Sequence, residues 1–257
     1  MEFGVQTFTI RKEQKKNFKE AFLPLIEKGI LEYEIARIPF NEKMASAVKE
    51  LVDAYGIRVV SIQVKPKDVF GHMDQVVAFC QKTGCRRVVI SMLPFSCILG
   101  KEKRFYTFIE GLDAWYERYE AYGIELGYHH HNWEYVTLSN QKTRMEELLT
   151  KTKKIRFVHD TYWTTKCGLS SPKQIRLFGS RLMGIHLRDL ALYPKGLAVH
   201  SKDTSVGSGV IDFSHVLEEA KKAGCAYYVI EQKTKEPYED ILKSHQYCLT
   251  LREQRER

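Results

Sequence analysis

The strongest constraint on how this chain folds is a repeated unit: a short apolar, β-rich run, a turn, and then an amphipathic segment with apolar residues at helical spacing. The runs read as strands are FGVQTF (3–8), EYEIA (32–36), IRVVSIQV (57–64), RRVVISML (86–93), IELGYHH (124–130), IRFVHD (155–160), LMGIHLRD (182–189) and AYYVIEQ (226–232). The clearest intervening helix is KEKRFYTFIEGLDAWYERYEAYG, in which Phe105, Phe108, Leu112, Trp115 and Tyr119 line one face. Gly29, Gly56, Gly84, Gly123 and Gly224 each follow a helical run and precede a strand, where a left-handed cap is wanted.

About eight βα units in 257 residues predict an α/β fold, a single (β/α)8 TIM barrel spanning residues 1–257. A doubly wound open sheet is the alternative, but no GxGxxG follows the first strand and no GxxxxGK[ST] loop occurs. No Pro-, Ser- or Gly-rich linker divides the chain. The longest irregular stretch, Ala191 to Ile211, reads as a loop over the barrel mouth.

A hydrophobic fraction of 44%, with 12% aromatic residues, is enough to fill one large core. The sequence has no run of apolar residues long enough to cross a membrane, and MEFGVQTFTIRKEQKK reads as a strand and a charged helix rather than a signal peptide. A cytoplasmic protein without membrane attachment is expected. Cys80, Cys85, Cys97, Cys167, Cys225 and Cys248 form no CxxC pair and read as reduced, structural thiols. A net charge of +8 raises the question of a nucleic-acid partner, but segments such as RKEQKK and LREQRER intersperse acids with bases, so none is expected.

In such a barrel the working residues come from the C-terminal ends of the strands and the loops beyond. The last four ends are unusually polar: strand five runs into His129, His130, His131 and Glu134, strand six ends at Asp160, strand seven carries His186 and strand eight ends at Glu231. One strand-end acid is as readily a helix cap as a ligand. Carboxylates converging from consecutive strands repel one another unless a cation lies between them. Glu134, Asp160, His186 and Glu231 are therefore the expected ligands of one divalent ion, a mixed oxygen and nitrogen set suited first to Mn²⁺ and also to Mg²⁺, Co²⁺ or Zn²⁺. In strand five the register leaves His129 or His131 as alternatives to Glu134.

These segments resemble the sugar phosphate isomerase/epimerase family of xylose isomerase-like barrels, which includes inosose dehydratases and, more distantly, endonuclease IV. GVQTFTIR, VVSIQVKP, LGYHHHNWEY, HDTYW, GIHLRD, VGSGVIDF and YYVIEQ carry the resemblance over nearly the whole chain. It implies that a sugar or cyclitol substrate chelates the ion through adjacent oxygens. Many relatives read Tyr-His-Asn-His where this chain has Tyr128, His129, His130 and His131, and Trp163 stands where ketose epimerases carry a histidine.

The chemistry so implied is that of a metal-dependent sugar isomerase or epimerase, in which a chelated carbonyl acidifies the neighbouring C–H and the enediolate is stabilised. An inosose-type dehydratase shares that first step. Glu134 and Glu231 are the expected acid and base pair, with His131 as an alternative base. Lys65, His129, Trp163 and Arg188 are expected to contact substrate, with Arg188 alternatively positioning an acid. His159 is expected to face away from the mouth, and Trp133 and Trp163 to wall it.

Two other classes compete. An apurinic endonuclease would need histidines or acids at the ends of strands two to four, which close on Ala36, Val64 and Leu93. A non-catalytic sugar-binding barrel would have no use for an intact ligand set. Self-association as a homo-oligomer is compatible with either reading.

Overall fold

The computed structural model describes residues 1–256. Its strands are β1 (Phe3–Gln6), β2 (Glu32–Ala36), β3 (Arg58–Val64), β4 (Arg87–Ile90), β5 (Glu125–His129), β6 (Arg156–Asp160), β7 (Leu182–Leu187), β8 (Asp189–Lys195), β9 (Ala198–Thr204) and β10 (Tyr227–Ile230). Eight of them close a parallel barrel in the order β1-β10-β7-β6-β5-β4-β3-β2, and β8 pairs with β9 as a separate antiparallel hairpin. No helix among the described residues is long and apolar enough to cross a membrane.

The helices form where the sequence caps them. Asn41 accepts a hydrogen bond from the Met44 amide to start Glu42–Tyr55, which Gly56 ends at φ 69°. Thr143 and Glu146 make a reciprocal capping box at the start of Arg144–Lys151. All five glycines expected as helix stops have positive φ. The long helix expected over 101–123 is broken at Gly111 into Glu102–Glu110 and Leu112–Glu120.

Strand alternation divides the side chains into two sets. Outward residues such as Tyr33, Ile35, Phe157 and Ile185 join the main apolar layer between sheet and helices. Inward residues Val60, Val89, Val158, Met183, Tyr227 and Val229 form a smaller apolar plug inside the barrel. Tyr227 fits there because Gly184 has no side chain to meet its ring. At the N-terminal side Glu125 pairs with Arg87 (3.2 Å) and Arg156 (3.3 Å).

The expected loop over 191–211 is corrected by the structure: most of it is the β8–β9 hairpin, paired from Asp189↔Thr204 to Lys195↔Ala198. The turn beyond it is organised by Asp189, whose buried carboxylate accepts hydrogen bonds from the amides of Leu190 (2.7 Å), Gly207 (3.0 Å), Gly209 (2.8 Å) and Ile211 (3.3 Å). A side chain at position 209 would collide with that carboxylate, which explains the glycine. All six cysteines are free thiols.

Candidate metal centre

Alternation also decides which polar residues meet at the C-terminal mouth. His129 ends β5, Asp160 ends β6, His186 lies one residue before the end of β7, and Glu231 follows β10. Each offers a ligand atom within 4.8 Å of the others, and all four residues are buried. His186 Nδ1 approaches Glu231 Oε2 to 2.8 Å and His129 Nε2 approaches Asp160 Oδ2 to 3.5 Å. Yet none of these four atoms has a hydrogen-bond partner. Each buried, unsatisfied polar atom costs on the order of 1–3 kcal/mol. Two imidazoles and two carboxylates, with a donor atom on each left unbonded, fit a divalent transition-metal ion.

The surrounding residues hold these donors in place. Glu34, buried on β2, lies 2.7 Å from His186 Nε2, and its other oxygen accepts from Ser61 Oγ (2.5 Å) and the Tyr227 hydroxyl (2.8 Å). With Nε2 engaged by Glu34, His186 presents Nδ1 to the cluster. Burial works to strip the His186 proton, but the Glu34 and Glu231 carboxylates outweigh it and hold the imidazolium up to about 10. Burial likewise opposes ionisation of Glu231, and the charges of His186 and Arg188 overcome it, keeping that carboxyl below its ordinary range.

Arg188 is shared between the hairpin and the cluster. Its Nε and Nη2 donate to the two oxygens of Asp203 at 2.6 and 2.9 Å, and its Nη1 donates to Glu231 at 3.1 Å. The same Nη1 lies 3.7 Å from Asp160 Oδ2, and the guanidinium covers the Tyr162 ring at 4.5 Å.

Asp160 has two tasks. Its Oδ1 accepts from the Trp163 amide at 2.9 Å, capping the helix Thr161–Lys166, and its Oδ2 is the unpartnered oxygen of the cluster. His130 steadies it from behind: its Nε2 accepts from the Asp160 amide at 3.1 Å and lies 3.2 Å from His159 Nδ1. Burial, reinforced by neighbouring imidazole charge, pushes His129, His130 and His131 down to about 3, so all three are neutral.

The remaining expected site residues are placed as follows. Glu134 stands outside the group of four. It is buried in the short helical turn Trp133–Tyr135, where its carboxylate accepts from the Tyr128 hydroxyl and from the His131 amide (2.7 Å). His131 packs edge-on to His129, with ring centroids 4.7 Å apart, and lies 5.4 Å from Trp163. His131 Nδ1 and Trp163 Nε1 are buried without hydrogen-bond partners. Lys65 is exposed after the last residue of β3, and Trp133 is exposed as well.

Two residues of this centre escape the reading of strand ends. Glu34 lies mid-strand, and its signal is the alternation of EYEIA, in which an acid shares the face opposite Tyr33 and Ile35. Asp203 belongs to a hairpin whose pairing was not read from the sequence.

The model of the family described as xylose isomerase-like TIM barrel matches residues 26–250. No curated protein matches the sequence. Among solved structures, a sugar phosphate isomerase/epimerase from Parabacteroides distasonis ATCC 8503 is 20% identical, with a TM-score of 0.78 over 96% of this chain and 92% of that one. The IolI protein solved with a bound zinc atom is 16% identical, with a TM-score of 0.72 over 98% of each chain. An L-ribulose 3-epimerase is 14% identical, with a TM-score of 0.71 over 100% of this chain and 97% of that one.

Proposed function

The chain belongs to the xylose isomerase-like TIM barrel family, and on that footing we propose that it is a divalent-metal-dependent enzyme that isomerises or epimerises a sugar or a sugar-like cyclitol ketone. The observation that carries the proposal is the set of four buried donor atoms, on His129, Asp160, His186 and Glu231, that lie together without hydrogen-bond partners. These residues would hold the ion, and the two imidazoles favour Zn²⁺, Mn²⁺ or Co²⁺ over Mg²⁺. That the IolI protein was solved with zinc supports the same reading.

A bound divalent ion supplies Lewis acidity to a carbonyl and its neighbouring hydroxyl, acidifying the C–H between them. Around it, His131 would accept that proton. Its ring is half-buried beside the cluster, burial keeps it neutral, and Nδ1 has no partner. Glu134 fixes the turn that carries His131 by accepting its amide proton. Glu231, held ionised by Arg188 from the adjacent strand of the barrel, is the second proton-transfer group. Trp163 offers an aromatic face against which sugar C–H groups stack.

The test is metal analysis of the purified protein, followed by incubation with ketoses, inososes, oxidised glycosides and their phosphates in D2O. The expected result is deuterium at the carbon beside the carbonyl, dependent on Mn²⁺, Zn²⁺ or Co²⁺ and lost in His131→Gln. Product identity separates isomerisation from dehydration. A protein that holds no divalent metal and exchanges no substrate proton is a binding barrel instead.

A further inference from the structure

We propose that Arg11 and Arg37 form a subsite for an anionic group, a phosphate or a carboxylate, carried by the substrate. The inference rests on the reading of the neighbouring centre as a sugar-converting site, and adds to it the charge of the substrate.

The two residues come from adjacent strands at the same rim. Arg11 opens the helix Arg11–Lys16 after β1, and Arg37 follows Ala36, the last residue of β2. Their guanidinium carbons lie 4.0 Å and 5.2 Å from the centroid of one ring, that of Phe8. Arg11 Nη1 donates to the Phe8 carbonyl at 2.8 Å. Among the described residues neither guanidinium forms an ion pair with a carboxylate.

One stacked arginine is ordinary packing, because a ring face attracts a cation. That accounts for Arg11 but not for a second cation on the same ring. Like charges so close repel, and the carboxylates of Glu13 and Glu231 act on Arg11 without forming an ion pair with it. Arg37 is also held at φ 63°, a left-handed conformation unfavourable for an L side chain, although its side chain is exposed and buries nothing in return. A phosphate or carboxylate would balance both charges at once, since the guanidinium fork matches either group in two-point contact.

The pair also lies within electrostatic reach of the metal centre. Burial and the charge of Arg37 loosen the Arg11 proton, Glu13 and Glu231 act to hold it, and Arg188 loosens it further. The turn that carries Phe8 and Arg11 is tied to the strand end bearing Glu231, because the Gln232 amide donates to Thr9 Oγ1 at 3.0 Å.

The experiment uses the protein with its metal as purified, and measures binding of inorganic phosphate and of acetate by calorimetry at fixed ionic strength. Arg37→Asn removes one charge while keeping a residue tolerant of left-handed backbone, and Arg11→Gln/Arg37→Asn removes both. Wild type is expected to bind at least one anion, with affinity about tenfold weaker in the double variant and several-fold weaker in Arg37→Asn. Preference for phosphate or for acetate names the group. Failure of wild type to bind either anion, or unchanged affinity in a double variant that melts like wild type, overturns the proposal. Metal content of the same samples separates the two readings. Anion binding through the arginines in a protein without metal sinks the metal reading alone, whereas a metal-loaded protein indifferent to both anions sinks only the subsite.

Discussion

His186 Nε2 and Glu34 Oε1, 152 residues apart in the chain, lie 2.7 Å from each other inside the barrel. A ligating imidazole is oriented and made more basic by a carboxylate on its far nitrogen. Glu34→Gln keeps the size and an acceptor oxygen but removes the charge. Affinity for Zn²⁺ or Mn²⁺ is expected to fall on the order of 10–100-fold, read by competition with a metal indicator.

Metal binding should be visible as stability. Saturating Zn²⁺ or Mn²⁺ at about 100 times Kd contributes roughly 3 kcal/mol, which for a chain of this size raises Tm by roughly 6–12 °C. The rise should vanish on treatment with EDTA and in His129→Ala. Glu134→Gln should keep it, while lowering the Tm of both forms, because Glu134 serves the turn rather than the cluster. Differential scanning fluorimetry distinguishes the two variants, and a Glu134→Gln protein that no longer responds to metal would restore Glu134 as a ligand.

Asp203 is expected to act through Arg188. Asp203→Asn keeps the shape of the pair but gives up its charge, leaving Arg188 free to swing from Glu231. Turnover of an identified substrate should fall about tenfold or more, with KM changed less than kcat. Asp203→Glu should recover part of the loss. Equal losses in both variants would mean that the hairpin contact only supports the fold.

Acid should destabilise the protein. His129, His130 and His131 have folded values of about 3 against an ordinary 6.5, and His159 is lowered as well. Below 6.5 the unfolded chain binds protons that the folded one refuses, so stability is complete above that value and is lost as pH falls toward 3. Each histidine contributes roughly 1 kcal/mol per pH unit within that window. His186, raised to about 10, is protonated in both states below 6.5 and does not offset the loss. Urea midpoints between about pH 7 and pH 5 should therefore fall steeply, and a flat profile would show that these histidines are not neutral when folded.

The barrel was legible because its signals are local: a period of two, a period near four, and glycines at the stops. The candidate cluster follows the strand ends, since Asp160, His186 and Glu231 all lie at or beside them. Cap and candidate ligand are compatible at Asp160, because Oδ1 caps the helix while Oδ2 is left without a hydrogen-bond partner. Strand five is harder to read because three histidines and a glutamate lie within six residues. Its alternation places Gly127 and His129 on the inward face, while Glu134 falls five residues later in a turn of its own. Arg188 is expected from its strand end, whereas its partner Asp203 is beyond a strand-by-strand reading, since their pairing depends on the hairpin register.

The apolar plug of Val60, Val89, Val158, Met183, Tyr227 and Val229 makes the barrel a cup rather than a pipe. On the proposed function, ion and substrate would both reach His129, Asp160, His186 and Glu231 from the C-terminal mouth, since the plug closes the way from below. The ion would then have to enter before the sugar, and could not leave while the sugar sat over it. A saturating substrate is therefore expected to slow the stripping of metal by chelator, so that the occupant of the site would itself act as a lid over the ion.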